Sequence, residues 1–597
     1  MRIDYKNKRL ERFLIGVNML TAGVVVASFV TLFGGFEKPL LPERILYTLQ
    51  VVLLFVFVGE KVIRFFNASS KVLFLRVNWY EVPLLAALLI AVVGAGRWFS
   101  PGEAESVTVR HFAVGIYLVL QVVIKLCRTS INLAASGKSP TQTLIASFVV
   151  LIVSGAGLLM LPRASASGES MSFVDALFTA TSATCVTGLI VKDTGSEFSL
   201  MGQVVILALI QLGGLGIVVF GAVLALLLGQ AFSVRESVAM QDLLSTRTLS
   251  RIGNMIAFIF IVTILIEAVG TVCLYYMWDD VPGWSGAHNK WFCSIFHSIS
   301  AFCNAGFSLF GKSFIRYNRC WQIYIVICPL IILGGLGFSV LYDIVNVAAD
   351  RVKRFFKKRF FKRYRFSMEA PKREQLQTKI VLFVSTCLIV LGMLAILVFE
   401  RYAGGSSPRQ KTGLLDAFFQ SVTARTAGFN TVDISSMSAP GKLILILLMF
   451  VGGSPGSTAG GIKTVTLAVV IMTVVAALRK RGEVEMFRRA VRVVVVGRAI
   501  TVTMIFILVL FTAALALSIT ENTKGFTLME IMFESGSALG TVGLTTGITR
   551  SLTAAGKMII IATMLIGRLG PLTLLAALTF NLKPVQYNYP EEAIIVG

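Results

Sequence analysis

Long apolar runs recur along almost the whole chain; 141–161, 254–277, 378–399 and 494–518 are four of them. A helix needs about 20 apolar residues to cross the hydrocarbon core of a bilayer. Inside that core every backbone N–H and C=O must be paired within the protein, which leaves helices or a closed barrel as the spanning structures. Runs this long read as helices, so the chain is expected to be an all-α, multi-pass membrane protein. The net charge of +24 would suit a nucleic-acid binder. The basic residues, however, gather in short links between apolar runs, where the positive-inside rule puts them, so no nucleic-acid partner is expected. The start "MRIDYKNKRLERF" runs into an apolar segment of spanning length without a small-residue cleavage site. It is expected to be an anchor helix with its N-terminus in the cytoplasm. The eight cysteines and three histidines are dispersed, with no metal spacing or paired framework. Neither a zinc site nor a histidine triad can be read from them, and an enzyme is not expected.

A short segment recurs between the long ones. Aligned on a glycine, its copies are "FTATSATCVTGL" (178–189), "FHSISAFCNAGF" (296–307), "FFQSVTARTAGF" (418–429) and "FESGSALGTVGL" (533–544). The third fits better from Phe419, which makes it one residue shorter. Gly188, Gly306, Gly428 and Gly543 are 118, 122 and 115 residues apart, the regularity of four tandem units. An apolar run precedes each copy, and another follows at about 201–228, 322–347, 441–477 and 556–580. Each unit therefore reads as helix, half-length re-entrant segment, helix. The short segments cannot span, and irregular backbone at membrane depth survives only in a cavity or buried in protein.

A second glycine cluster follows each copy by 24–28 residues: "GGLGI" (213–217), "GGLGF" (334–338), "GGSPGSTAGGI" (452–462) and "GRLGP" (567–571). For the first two, close helix packing through small residues is the plainer reading. The third has too many glycines and a proline to stay helical, so that inner helix is expected to break in a loop within the membrane. This loop lacks the spacing of a phosphate-binding loop, and no strand precedes it.

Charge orients the chain. "RVKRFFKKRFFKRYR" (351–365) has nine basic and no acidic residues, and "RKRGEVEMFRRAVR" (479–492) has six against two. Both links are expected in the cytoplasm, so the short segments enter from outside. The first is either a solvated loop or, through its interleaved Phe and Tyr, a helix on anionic lipid or on a partner. Residues 1–138 fall outside the repeats, with apolar runs near 13–34, 44–66, 81–96 and 111–128, so the total is about twelve spans. The expected divisions are the extension 1–138, repeats at 139–250, 251–376, 377–490 and 491–583, and a tail at 584–597.

Four half-helices aiming their C-terminal ends at one axis favour a cation there. The chain must then turn outward with its carbonyls facing that axis, and glycine permits the necessary backbone angles. Four copies make a ring of oxygens able to replace the water of a dehydrated monovalent ion. One copy alone would more often be a loop or packing patch; four evenly spaced copies point to a pore.

Over residues 139–597 the chain resembles the Trk/Ktr/HKT superfamily of potassium transporters. The resemblance rests on "TATSATCVTGLIV", "HSISAFCNAGFSLF", "SVTARTAGFNT", "GTVGLTT", "GGSPGSTAGGIKT" and the tail "YPEEAIIVG". It implies potassium uptake through a filter in which Thr187, Gly188, Ala305, Gly306, Ala427, Gly428, Val542 and Gly543 hold the ion, flanked by Cys185, Val186, Asn304, Thr426 and Thr541. In the family a serine at the first glycine position goes with sodium transport; here the residue is Gly188. The resemblance also implies a gate below the filter, formed by Gly452, Gly453, Ser454, Gly456, Ser457, Thr458, Gly460 and Gly461 with Lys463 and Arg568. It implies a homodimer on a cytoplasmic ring of nucleotide-binding regulatory subunits, with the tail after Lys583 as a dimer contact, and sodium as an optional activator beside potassium.

An intramembrane arginine is costly enough to be read as functional, so Arg568 is expected to contact the gating loop; the structural alternative is a partner of Glu534 or of loop carbonyls. Lys463 is either a gate residue or a lysine reaching for the cytoplasmic surface. Glu267 and Glu60 are further intramembrane candidates, and Glu60 with Arg64 has the spacing of a local ion pair. Residues 57–85 faintly resemble part of a voltage sensor, but the would-be fourth helix lacks arginines at every third position. Two rivals to the pore stay open: a carrier coupling potassium to sodium or protons, and a non-transporting protein whose glycines only pack helices.

Overall fold

The computed structural model describes residues 6–33, 42–78, 140–216, 252–278, 287–360, 372–403 and 413–570, with a few positions between 85 and 118. Most of the apolar runs at 81–96 and 111–128, the basic stretch beyond Phe360, the inner runs past Gly216 and Gly570, and the tail 584–597 lie outside the described residues. The chain is mostly helical.

The N-terminal part opens with α1 (Lys8–Phe33), α2 (Glu43–Asn67) and the short α3 (Lys71–Val77). Arg64 pairs with Glu60 at 2.7 Å and with Glu11 at 3.3 Å, so the expected local pair also ties α2 to α1. The first repeat is α4 (Pro140–Leu159), α5 (Phe173–Thr184) and α6 (Leu200–Leu215). The second is α7 (Ile252–Leu274), α8 (Ala287–Phe302), a π-turn at Ile323–Ile327 running into α9 (Cys328–Leu336), and α10 (Phe338–Phe360). The third is α11 (Leu376–Ala403), α12 (Leu414–Thr423), α13 (Ala439–Phe450) and α14 (Thr464–Leu478). A two-stranded hairpin, β1 (Val484–Met486) with β2 (Arg489–Val491), leads to the fourth: α15 (Val493–Thr520), α16 (Leu528–Gly540) and α17 (Ala554–Leu569). A helix, a half-length helix and a further helix thus recur in order four times, and the half-length ones are named pore helices after the proposed reading.

Among the described residues five helices are long and apolar enough to cross a membrane: Arg9–Leu32, Ile45–Asn67, Gly253–Trp278, Leu376–Tyr402 and Val493–Thr520. The half-length helices are shorter, exposed near their first turns and buried toward their C-terminal ends. Their N-terminal amides are capped by Ser172 in α5 and by the Thr527–Glu530 pair in α16.

The inner helices correct the sequence reading, which reserved a break for the third. All four stop part-way. Gly216, Gly337 and Gly570 follow the helix in the first, second and fourth repeats with φ of 82°, 86° and 81°. A left-handed residue just past the last turn ends a helix, and glycine adopts it without steric cost. In the second repeat the chain resumes immediately, and the two halves meet at 101°. The packing reading of the same clusters also holds. A methyl on Gly213, Gly334 or Gly567 would overlap the carbonyl of Thr184, Phe302 or Leu539 at the end of the pore helix of its own repeat.

Candidate functional site

Each pore helix ends in the same three-residue twist. Val186, Asn304, Thr426 and Thr541 have φ of 56°, 58°, 72° and 51°, and two residues later Gly188, Gly306, Gly428 and Gly543 have φ of 90°, 68°, 82° and 92°. A left-handed angle costs a residue with a Cβ about 1–2 kcal/mol, and β-branched Val186 is an outlier even so. Such strain persists only where surrounding structure imposes it. Hydrogen bonds impose it here. The amides of Thr187, Ala305 and Val542 reach back five residues to the carbonyls of Ser182, Ser300 and Ser537 at 2.8, 2.7 and 2.8 Å. In the third repeat Ala427 reaches back four, to Thr423, at 2.9 Å, the shortening already visible in the sequence. The hydroxyls of the same residues complete the turn. Ser182 and Ser537 accept from the amides of Gly188 and Gly543 at 3.1 Å each, and Ser300 and Thr423 donate to the carbonyls of Phe307 and Phe429 at 2.8 and 2.7 Å.

The four turns meet. A Cβ on Gly188 would lie 3.0 Å from the Cα of Gly306, one on Gly306 3.0 Å from Gly428, one on Gly428 3.2 Å from Gly543, and one on Gly543 3.0 Å from Gly188. The same positions abut the carbonyl oxygens of Ala305, Ala427, Val542 and Thr187 respectively. Glycines and carbonyls therefore form a closed ring in the order of the repeats, too tight for any side chain. Cys185, Val186, Asn304, Thr426 and Thr541 sit behind it, all buried.

The loop between α13 and α14 crosses beside this ring. Its ends zip together, the Gly452 amide donating to Ile462 at 2.9 Å and the Ile462 amide to Phe450 at 3.2 Å. Its tip leans on the second repeat: the Ser454 amide donates to Gly335 at 2.9 Å, and the Phe338 amide to Gly456 at 3.0 Å. Ser457 Oγ donates to the Ser454 carbonyl at 2.7 Å, and Thr458 Oγ1 to that of Gly334 at 3.1 Å. Gly460 packs on the side chain of Thr541, Gly453 on Ala459, Ser457 and the Gly335 carbonyl, and Gly461 on Gly452 within the loop. Arg568 donates to the carbonyls of Thr458, Gly213 and, at 3.3 Å, Gly214. It thus joins the loop to the fourth and first repeats, and its partners are carbonyls and not Glu534. Lys463 Nζ folds back onto the carbonyls of Ala459 at 2.7 Å and Gly460 at 3.4 Å instead of reaching for the membrane surface.

Three buried polar groups near the ring were not picked out as filter residues from the sequence. Arg425, one residue before Thr426, donates to Ser385 Oγ at 3.1 Å behind the third turn. His297 and Glu534 stand on pore helices and bond to the chain that leaves the ring. Their signal was an ionisable residue inside an otherwise apolar repeat. Glu267 packs behind the second pore helix, where Gln211 donates to it at 3.2 Å and its carbonyl accepts Ser298 Oγ at 2.7 Å. On the loop after the first turn, Lys192 and Glu197 pair at 2.9 Å. Partial burial works to raise the Glu197 carboxyl, but the bonds from Lys192 and the Asp193 amide outweigh it and hold the group below the usual range.

A family model described as TrkH, cation transport protein, matches residues 106–585. The chain belongs to the TrkH family. That match begins inside the stretch read from sequence as the extension. TrkH-family proteins are membrane ion transporters and not enzymes. The Ktr system potassium uptake protein B of Bacillus subtilis is 38% identical over 463 residues, covering 77% of this chain and 97% of the relative. The potassium/sodium uptake protein NtpJ of Enterococcus hirae is 37% identical over 467 residues, with the same coverage of 77% and 97%. Among solved structures, the potassium transporter TrkH of Vibrio parahaemolyticus shares the fold with a TM-score of 0.55 at 20% identity, covering 84% of this TrkH-family chain and 96% of that one.

Proposed function

We propose that this protein takes up potassium through a gated pore, with the ion held by the carbonyl ring at Thr187–Gly188, Ala305–Gly306, Ala427–Gly428 and Val542–Gly543. The observation that carries the reading is the closed contact of four glycines, each against a carbonyl of the next repeat. Oxygens so placed can stand in for the hydration shell of a monovalent cation. The relatives named for potassium uptake support the choice of ion. The loop 452–461, crossed by Arg568, is the gate. Residues 1–138 form an extension before four pore repeats and a tail, with both termini in the cytoplasm. The working assembly is a homodimer on a cytoplasmic ring of nucleotide-binding subunits, and sodium acts as an activator.

The test is rubidium and sodium uptake by proteoliposomes carrying the wild type or Gly428→Ser. The serine places a side chain against the Val542 carbonyl. Discrimination for potassium over sodium is expected to fall about tenfold, the equivalent of 1.4 kcal/mol. Equal discrimination in the two proteins would leave the ring as a packing motif. A second reading, coupled movement of sodium with potassium, draws on the name of the Enterococcus relative and on Glu267, whose second carboxylate oxygen is buried without a hydrogen-bond partner. Potassium uptake that follows the membrane potential with no sodium present would exclude it.

A further inference from the structure

In the second and fourth repeats the residue nine positions before the ring glycine is ionisable and fully buried: His297 before Gly306, and Glu534 before Gly543. Both reach across the chain reversal to equivalent targets. His297 Nε2 lies 3.1 Å from Ser308 Oγ and accepts the amide of Leu309 at 3.4 Å. Glu534 accepts the hydroxyl of Thr545 and, at 3.0 Å, that of Thr549. Ser308 and Thr545 each stand two residues after the glycine of their repeat.

The histidine is itself held in place. Its Nδ1 lies 2.8 Å from the Cys293 carbonyl, which has no proton to give, so Nδ1 carries the hydrogen and Nε2 is left as the acceptor. Its ring stacks on Phe310 at 5.2 Å and lies 5.0 Å from Trp278.

The first repeat lacks the device, and the third replaces it with a less buried link from the start of its helix, Thr431 Oγ1 donating to Asp416 at 3.1 Å. Thr179 occupies the matching position in the first and bonds the Asp175 carbonyl of its own helix at 2.9 Å. Gln420 occupies it in the shortened third, and its buried amide has no hydrogen-bond partner. The ring runs in the order of the repeats, so the two quarters braced by a fully buried ionisable residue face each other across it.

We propose that His297 and Glu534 are positioning residues for ion discrimination: two opposed braces that fix the strands leaving Gly306 and Gly543 and hold the ring at its width. A ring of oxygens rejects a smaller cation only as far as it resists closing around it. Bracing this opposed pair sets the diameter, while the first repeat, without such a link, keeps the freedom that ion passage needs. This rests on the filter reading above.

The experiment measures rubidium and sodium uptake in proteoliposomes, at matched amounts of monodisperse protein, for Glu534→Ala, Thr545→Val, their pair, His297→Ala, Ser308→Ala and their pair. Gly428→Ser is run beside them. Each single change is expected to lower potassium-over-sodium discrimination about threefold or more, with each pair no worse than its stronger single, as for two ends of one brace. Glu534→Gln, which keeps one acceptor oxygen, should recover part of the loss. Lower uptake of both ions at unchanged discrimination, or pairs whose effects add, would overturn the proposal. Should the alanines at 297 or 534 fail to fold, Thr545→Val and Ser308→Ala decide alone, since they remove only a hydroxyl. If Gly428→Ser shifts discrimination and those two do not, the braces fail and the filter stands. If none of the three shifts it, the filter reading itself fails.

Discussion

At the scale of the residue, the centre of the molecule is built from backbone, and its glycines do two different jobs. The ring glycines supply left-handed angles and leave room for the next repeat. Gly213, on the first inner helix, only leaves room, because a Cβ there would overlap the Thr184 carbonyl just before the ring. Gly213→Ala should therefore cost about 1–3 kcal/mol, the usual penalty for overpacking. Gly157→Ala, in the same repeat with open space around it, should cost nothing by the same contact. Thermal unfolding of the detergent-solubilised variants checks the contrast, and equal midpoints would show that the first inner helix yields at no cost. The ring positions could be read from the sequence because one glycine returned four times in one context. The braces could not. His297 and Ser308 are eleven residues apart in the chain, and only the reversal at Gly306 brings them together. Arg425 lay in plain view within the third copy, but nothing in the sequence says that Ser385 waits behind it.

At the scale of the element, helix ends decide the architecture. Three inner helices begin with a hydroxyl residue followed three positions later by glycine, and the caps Ser199, Ser438 and Thr553 accept the amides of Gly202, Gly441 and Gly556 at 3.4, 3.1 and 3.1 Å. In the third and fourth repeats a glutamate near the end of the outer helix holds that cap. Glu400 accepts both the amide and the hydroxyl of Ser438, at 3.1 and 2.6 Å, and Glu521 does the same for Thr553, at 3.1 and 2.5 Å. Ser438→Ala should lose about 0.5–2 kcal/mol, the usual worth of such a cap. Glu400→Gln added to it should cost less than it does alone, because the two share one bond. Unfolding midpoints of the two singles and the double measure that coupling, and simple additivity would show that the glutamate acts on its own. The sequence carried this signal in "SLMG", "SAPG" and "TAAG", but each is short and common, and only the structure shows what caps what. The breaks at Gly216 and Gly337 were hidden for another reason. Inside an apolar run, "GGLG" looks like a packing face, and the left-handed turn at its fourth position shows only in the structure, where Ser454 and Pro455 crowd a Cβ placed on Gly337 while no described residue lies within 4 Å of one on Gly216.

At the scale of the whole molecule, the four repeats are joined pairwise around the ring and then bolted across it by one loop. Neighbours also meet away from the ring glycines, through Lys557 and Asp175 at 2.6 Å and through the Phe314 amide and the Asn430 carbonyl at 3.1 Å. The loop of the third repeat rests on the second and touches the fourth, and Arg568 carries the connection to the first. Arg568→Gln shortens that reach and removes the charge. Rubidium uptake into proteoliposomes should rise severalfold, with potassium-over-sodium discrimination unchanged, if the arginine pins a closed gate. A fall in uptake would mean instead that it holds the pore in working order. The contact of Gly460 with Thr541 has a consequence of its own, because a loop residue and a ring residue share one surface. If displacing the loop changes the ring's affinity for an ion by some factor, an ion in the ring changes the loop's displacement by that same factor. On the proposed filter reading, an ion's affinity alone would then report where the loop stands.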